Sequence, residues 1–281
     1  MHQVPDLRAG EGDAVSNEGL AAVRLGIDDS MTVFETLTPE EWARPSGCLG
    51  WRVQDVAAHA SSNFMVTVDP PAPPTDPTPP MPAERMMDLL VEPRRRWSPE
   101  QVLEELRSYA PRLVETLGAL QQEPLASTPM TMADLGTYQM HQLADAYAFD
   151  LYCHLRIDVL APHGPIERDV PVADEARLAP AVGWMLAGLP QMQGEAFPMV
   201  DRSFTLRLSG PGGGLWTISG SGDGRVDVEP GDDPGAVATV ISDAHAFVLW
   251  GTKRAEWRQY AVIQGGDTEF VTRFLDTLNI V

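Results

Sequence analysis

The feature that most constrains this fold is a change of hydrophobic period near residue 201. Before it, apolar residues recur at helical spacing; after it, they alternate as in half-buried strands. Leu20, Val23, Ile27, Met31 and Phe34 mark a first helix. A second starts near Arg52, with Val53, Val56, Ala57, Ala60 and Phe64 as its apolar face. A third has its start written out: Ser98 as N-cap, Pro99 at the first helical position and Gln101 completing a capping box. A fourth is expected over residues 138–156, facing Met140, Leu143, Tyr147 and Leu151 inward. Four amphipathic helices predict an antiparallel four-helix bundle. A further helix over about 173–189 would bridge to the second half.

Beyond that point residues 204–208, 215–218, 225–228 and 236–241 read as strands, the early ones separated by glycine-rich turns at 210–214 and 220–224. Ser242 is placed to cap one closing helix and Asp267 the last. The fold class is therefore α plus α+β: a helical domain over 18–195 and a small C-terminal α+β domain over 200–281. Residues 1–17 are expected to be a flexible leader, because no basic stretch precedes an apolar core as in a secretory signal. Residues 70–82 are too proline-rich for a helix and are expected to form an extended surface loop.

Charge narrows the functional classes. With 20 basic and 40 acidic residues, the net charge of −20 would repel phosphate backbones, which argues against nucleic-acid partners. No apolar run has the length that spans a bilayer. Two cysteines, Cys48 and Cys153, make no disulfide framework, so a reducing, cytoplasmic setting is expected.

The residues that carry chemistry are His59 on the second helix and Asp150 and His154, one turn apart, on the fourth. His154 falls within about 20° of Tyr147 and Leu143 around the helix axis, so it faces the bundle interior. Asp145 points about 160° from Tyr147, which makes His141 and Asp145 a surface pair on this reckoning. An acid and an imidazole facing a core are costly without partners. Two readings are open for Asp150 and His154: a buried pair that satisfies itself, or two ligands of a divalent metal. His59, at the edge of the facing helix, favours the metal, since two N donors and one O donor leave coordination positions open. Asp158 reads as an ordinary end-of-helix acid; its alternative role is an acceptor that orients the His154 imidazole. Trp42, Trp51, Met86 and Met87 read as core. His2, His163 and His245 read as solvated or structural. No dinucleotide fingerprint, phosphate loop or nucleophile elbow competes.

At these residues the chain resembles a known family. Thr38-Pro39-Glu40-Glu41-Trp42, Pro45-Ser46, Cys48, Gly50-Trp51, Val53, Asp55-Val56 and His59 are similar to the opening of the mycothiol-dependent maleylpyruvate isomerase family. Residues 210–213, Trp216, Trp250-Gly251, Arg254, Gly266-Asp267 and 278–281 resemble its second domain, an α+β module similar to sterol carrier protein 2. The resemblance implies a DinB-like four-helix bundle. It implies a divalent metal, usually zinc, held by His59, Asp150 and His154, with Asp150 standing where the family has glutamate. It also implies mycothiol as a thiol cosubstrate and a small electrophilic substrate that is isomerised or S-conjugated. Arg254 becomes a candidate catalytic residue that binds an acidic group. Against this stand a metal–water enzyme on the same bundle and a non-catalytic small-molecule-binding protein.

Overall fold

The computed structural model describes residues 17–72, 81–192, 202–220 and 225–280. The helical part consists of α1 (Glu18–Phe34), α2 (Pro39–Trp42), α3 (Val53–Val68), α4 (Ala83–Val91) and α5 (Pro99–Leu120), then a small hairpin, β1 (Pro129–Thr131) and β2 (Thr137–Gln139), and α6 (Leu143–Cys153). From α6 the chain runs on into a π-helical stretch, His154–Val159, and after a loop into α7 (Glu175–Met192). α3 packs on α5 and α1 on α6, which closes the four-helix bundle, with α7 laid against α1 and α6. Val23, Val53, Phe64, Leu106, Leu113 and Leu117 fill its core.

The second part is β3 (Phe204–Ser209), β4 (Gly214–Gly220), β5 (Val226–Pro230), β6 (Ala238–Asp243), α8 (Ala244–Gly251), β7 (Val262–Gly265) and α9 (Thr268–Thr277). Its five strands lie in the order β5-β4-β3-β6-β7. β3 pairs antiparallel with β4, Leu206 opposite Trp216, and parallel with β6, Leu206 opposite Val240. Phe204 packs against Phe270 and Phe274, which seats α9 on the sheet.

α6 shows why the site sits where it does. Tyr147, Ala148, Leu151 and Leu155 face the bundle core, while Phe149, Tyr152, Cys153 and Ile157 belong to the core shared with α7, α8 and the sheet. The segment is therefore apolar almost all round, as a helix covered on both sides must be. Its polar residues Asp150 and His154 lie in the seam.

Several expectations change. The fourth helix begins at Leu143 because Tyr138 belongs to β2: it pairs with Met130, packs its ring 4.3 Å from Trp184 and donates its hydroxyl to the Leu135 carbonyl. α8 is capped by Asp243, whose carboxylate accepts from the His245 and Ala246 amides. Ser242 instead donates its hydroxyl to the Tyr260 carbonyl and accepts from the Trp250 indole. Met86 lies exposed on α4, so it is not core. α4, the β1–β2 hairpin and β7 have no counterpart in the sequence reading. The leader up to residue 16, most of the proline-rich stretch (73–80), the proposed domain boundary (193–201) and the turn 221–224 lie outside the described residues.

Candidate metal centre

The start of α3 fixes the first side chain. Asp55 accepts from the Arg52 amide (2.9 Å) and from the Arg52 and Arg95 guanidinium groups, a buried carboxylate pinned by two cations. One turn on, His59 is 3% exposed. Its Nε2 lies 2.9 Å from Asp150 Oδ1. His154 Nε2 approaches the same oxygen at 3.5 Å. The two imidazoles meet edge to face with centroids 4.7 Å apart. The three residues predicted from spacing are thus brought together, with one ligand atom from each lying within 4.8 Å of the others.

The other nitrogen of His154 is also occupied. Nδ1 is 2.9 Å from Asp158 Oδ2, and Cys48 Sγ stands 3.5 Å from it. Asp158 in turn accepts from Arg254 at both oxygens, 2.9 Å from Nε and 2.8 Å from Nη2. Asp158 is therefore the acceptor that orients His154, not a solvated helix-end acid. The π-helical turn it shares with His154 carries it back beneath the imidazole; such turns recur at functional sites. The loop before α3 closes over this acid: the Gly47 amide donates to the Asp158 carbonyl at 2.7 Å. Arg254 is engaged by Asp158, a contact that the sequence did not suggest.

Trp51 likewise departs from expectation. Its half-buried ring lies 5.3 Å from the His59 imidazole and 6.2 Å from that of His154, and its indole N–H donates to Asp88 on α4. It forms a wall of the site. Cys48 and Trp51 sit in a loop without periodicity; their signal was their place in the motif that leads to His59. Cys153 points into the core, and burial pushes its thiol up to about 12. The supposed surface pair is not one: His141 bonds the Ala126 carbonyl, and Asp145 is half-buried against the first turn of α1. His245 bonds Tyr152 across the seam at 2.8 Å.

Electrostatics mark the cluster as one unit. Burial works to raise the Asp150 carboxyl, but the His59 and His154 imidazoles beside it outweigh burial and hold it well below the usual carboxylate range. Burial works against a charged His154, yet the charge of Asp150 and the bonds to Asp150 and Asp158 raise it well above an ordinary imidazole. Asp158 is opposed by burial and held low by His154 and Arg254.

These residues fit a metal ion. His59 Nδ1 and Asp150 Oδ2 are buried without a hydrogen-bond partner, and an unpaired buried carboxylate oxygen is costly unless a cation meets it. Two imidazoles and one carboxylate are the donor set of open divalent sites, zinc above all. The Asp158 contact supplies the second hydrogen bond that metal-bound histidines generally make. A second grouping, Cys48, His154 and Asp158, is as compact, but Arg254 already neutralises its acid.

A four-helix bundle bearing an imidazole–carboxylate cluster, joined to a five-stranded α+β unit, defines the class of protein. Residues 23–155, most of the helical part, match the model of the mycothiol maleylpyruvate isomerase N-terminal domain. Two solved structures share the fold. The crystal structure of the mycothiol-dependent maleylpyruvate isomerase is 14% identical with a TM-score of 0.57, and that of its histidine-to-alanine mutant 13% identical with a TM-score of 0.56. Each alignment covers 88% of this chain and 92% of the other. No curated protein matches the sequence. Among the described residues no helix is long and apolar enough to cross a membrane.

Proposed function

We propose that the protein is a metal- and thiol-dependent enzyme that isomerises or S-conjugates a small electrophilic substrate. The observation that carries this is the convergence of His59, Asp150 and His154 with two of their polar atoms left unpaired in the interior. Held by these three side chains, a divalent metal, zinc by its donor set, supplies the charge that keeps a bound thiol ionised near neutral pH. Asp158 holds the proton on His154 Nδ1 and so leaves the Nε2 lone pair, on the Asp150 side, for a metal ion. Trp51 and the buried flank of α3 exclude water from one side. The thiol of the cosubstrate, mycothiol by the family's name, adds to an electrophilic carbon of the substrate. Rotation and elimination of the thiol give an isomer, and retention of the adduct gives a conjugate. The reduced cysteines fit a thiol-rich cytoplasm.

Elemental analysis tests the centre first. Wild type and His141→Ala should carry about one zinc per chain and His154→Ala and His59→Ala little or none. Equal metal in all four would refute the ligand assignment. A zinc-loaded protein that turns over unsaturated acids equally well without a thiol would refute thiol dependence.

A further inference from the structure

Arg254 reaches the centre from the C-terminal α+β part. It follows α8, and the chain turns toward the bundle at Lys253, a non-glycine residue in the left-handed region (φ 58°). That turn is held by the Arg254 amide on the Leu249 carbonyl and by Lys253 Nζ on the carbonyls of Leu275 and Asp276. The guanidinium then closes two parallel bonds on Asp158, whose side chain is 2% exposed. Asp158 passes the contact to His154 Nδ1.

From this unbroken chain of contacts we infer that Arg254 is a positioning residue, acting on the metal centre through Asp158, so that the C-terminal α+β part sets the affinity of the centre. The inference rests on the metal reading above. Its physical basis is charge balance. Paired with Arg254, Asp158 is fixed in place, and His154 keeps its acceptor and its ring orientation. Without Arg254, a buried carboxylate would lose its compensating cation, which costs more than the pair is worth. Asp158 would swing toward water, and His154 would lose its fixed acceptor. A bidentate fork matters here, which an ammonium does not supply.

The test is zinc affinity by competition with a chromophoric chelator, with the visible spectrum of the cobalt-substituted protein alongside. Wild type, Arg254→Leu, Arg254→Lys, Asp158→Asn and the Arg254→Leu/Asp158→Asn double variant are compared. Arg254→Leu and Asp158→Asn should each weaken zinc binding roughly 10–100-fold and shift the cobalt bands. The double variant should be no worse than Asp158→Asn alone, because both act along one path. Arg254→Lys should recover only part of the loss, and it decides the matter if Arg254→Leu does not fold. Wild-type zinc affinity and cobalt spectrum in Arg254→Leu, with only KM for an acidic substrate raised, would overturn the inference and leave the metal reading intact. A wild type that binds no zinc would bring down both.

Discussion

At the scale of single residues, the site and its surroundings differ in how the chain handles buried acids. Asp150 lies between two imidazoles and Asp158 between an imidazole and a guanidinium, whereas Asp145 has no partner of comparable strength. Burial, with Glu18 adding to it, pushes the Asp145 carboxyl up to about 7. An unfolded aspartate titrates near about 3.9. Between these values the folded state holds a proton that the unfolded state has released, so stability falls as pH rises from about 4 to 7 and levels off above. Asp145→Asn should remove this fall. Urea unfolding should show the variant about 1–2 kcal/mol more stable at pH 8, solvent screening having reduced the full effect, and equal to wild type below pH 4. A constant difference across that range would mean the carboxyl is not responsible. The convergence of His59, Asp150 and His154 was legible in the sequence because helical geometry fixes which side chains share a face. Asp145 was misread by the same geometry: it does point away from Tyr147, but toward the first turn of α1, which no single-helix argument reveals.

At the scale of elements, written-out signals proved readable and borrowed ones did not. α5 begins where Ser98 and Gln101 place it, with both capping-box bonds present. Ser98→Ala should cost about 1 kcal/mol in chemical denaturation and leave zinc affinity unchanged. Gly47→Ala should do the reverse. A Cβ at Gly47 would stand 2.9 Å from the Asp158 Cα and Oδ1 atoms, so the loop carrying Cys48 and Trp51 must shift. Zinc affinity should fall several-fold in the chelator assay; an unchanged constant would show that the loop yields without disturbing His154. β1, β2 and β7 are three or four residues each and owe their existence to partners distant in sequence, so no local pattern announces them. The π-helical turn is similarly silent, since its residues suit an α-helix equally well.

At the scale of the whole molecule, the change of period correctly divides a helical part from a sheet part. What it does not reveal is that one core runs from α6 and α7 through α8 and the sheet, taking in Cys153, the residue before His154. Contacts such as Arg254 on Asp158 and Tyr152 on His245 join residues more than ninety positions apart. A ligand bound at this seam should stabilise both parts together. Zinc at about 100 times its dissociation constant should add roughly 2.7 kcal/mol, and a chelator should lower the melting temperature in a single transition. Two separate transitions, only one of them sensitive to the chelator, would show the parts to be independent.

The bond from the Trp51 indole to Asp88 reaches further than its 3.0 Å. It ties a wall of the reactive centre to α4, the first helix after the proline-rich stretch. A shift of α4 would be transmitted to the centre by one ring. The cluster of His59, Asp150 and His154 stays as it is while its wall is re-cut.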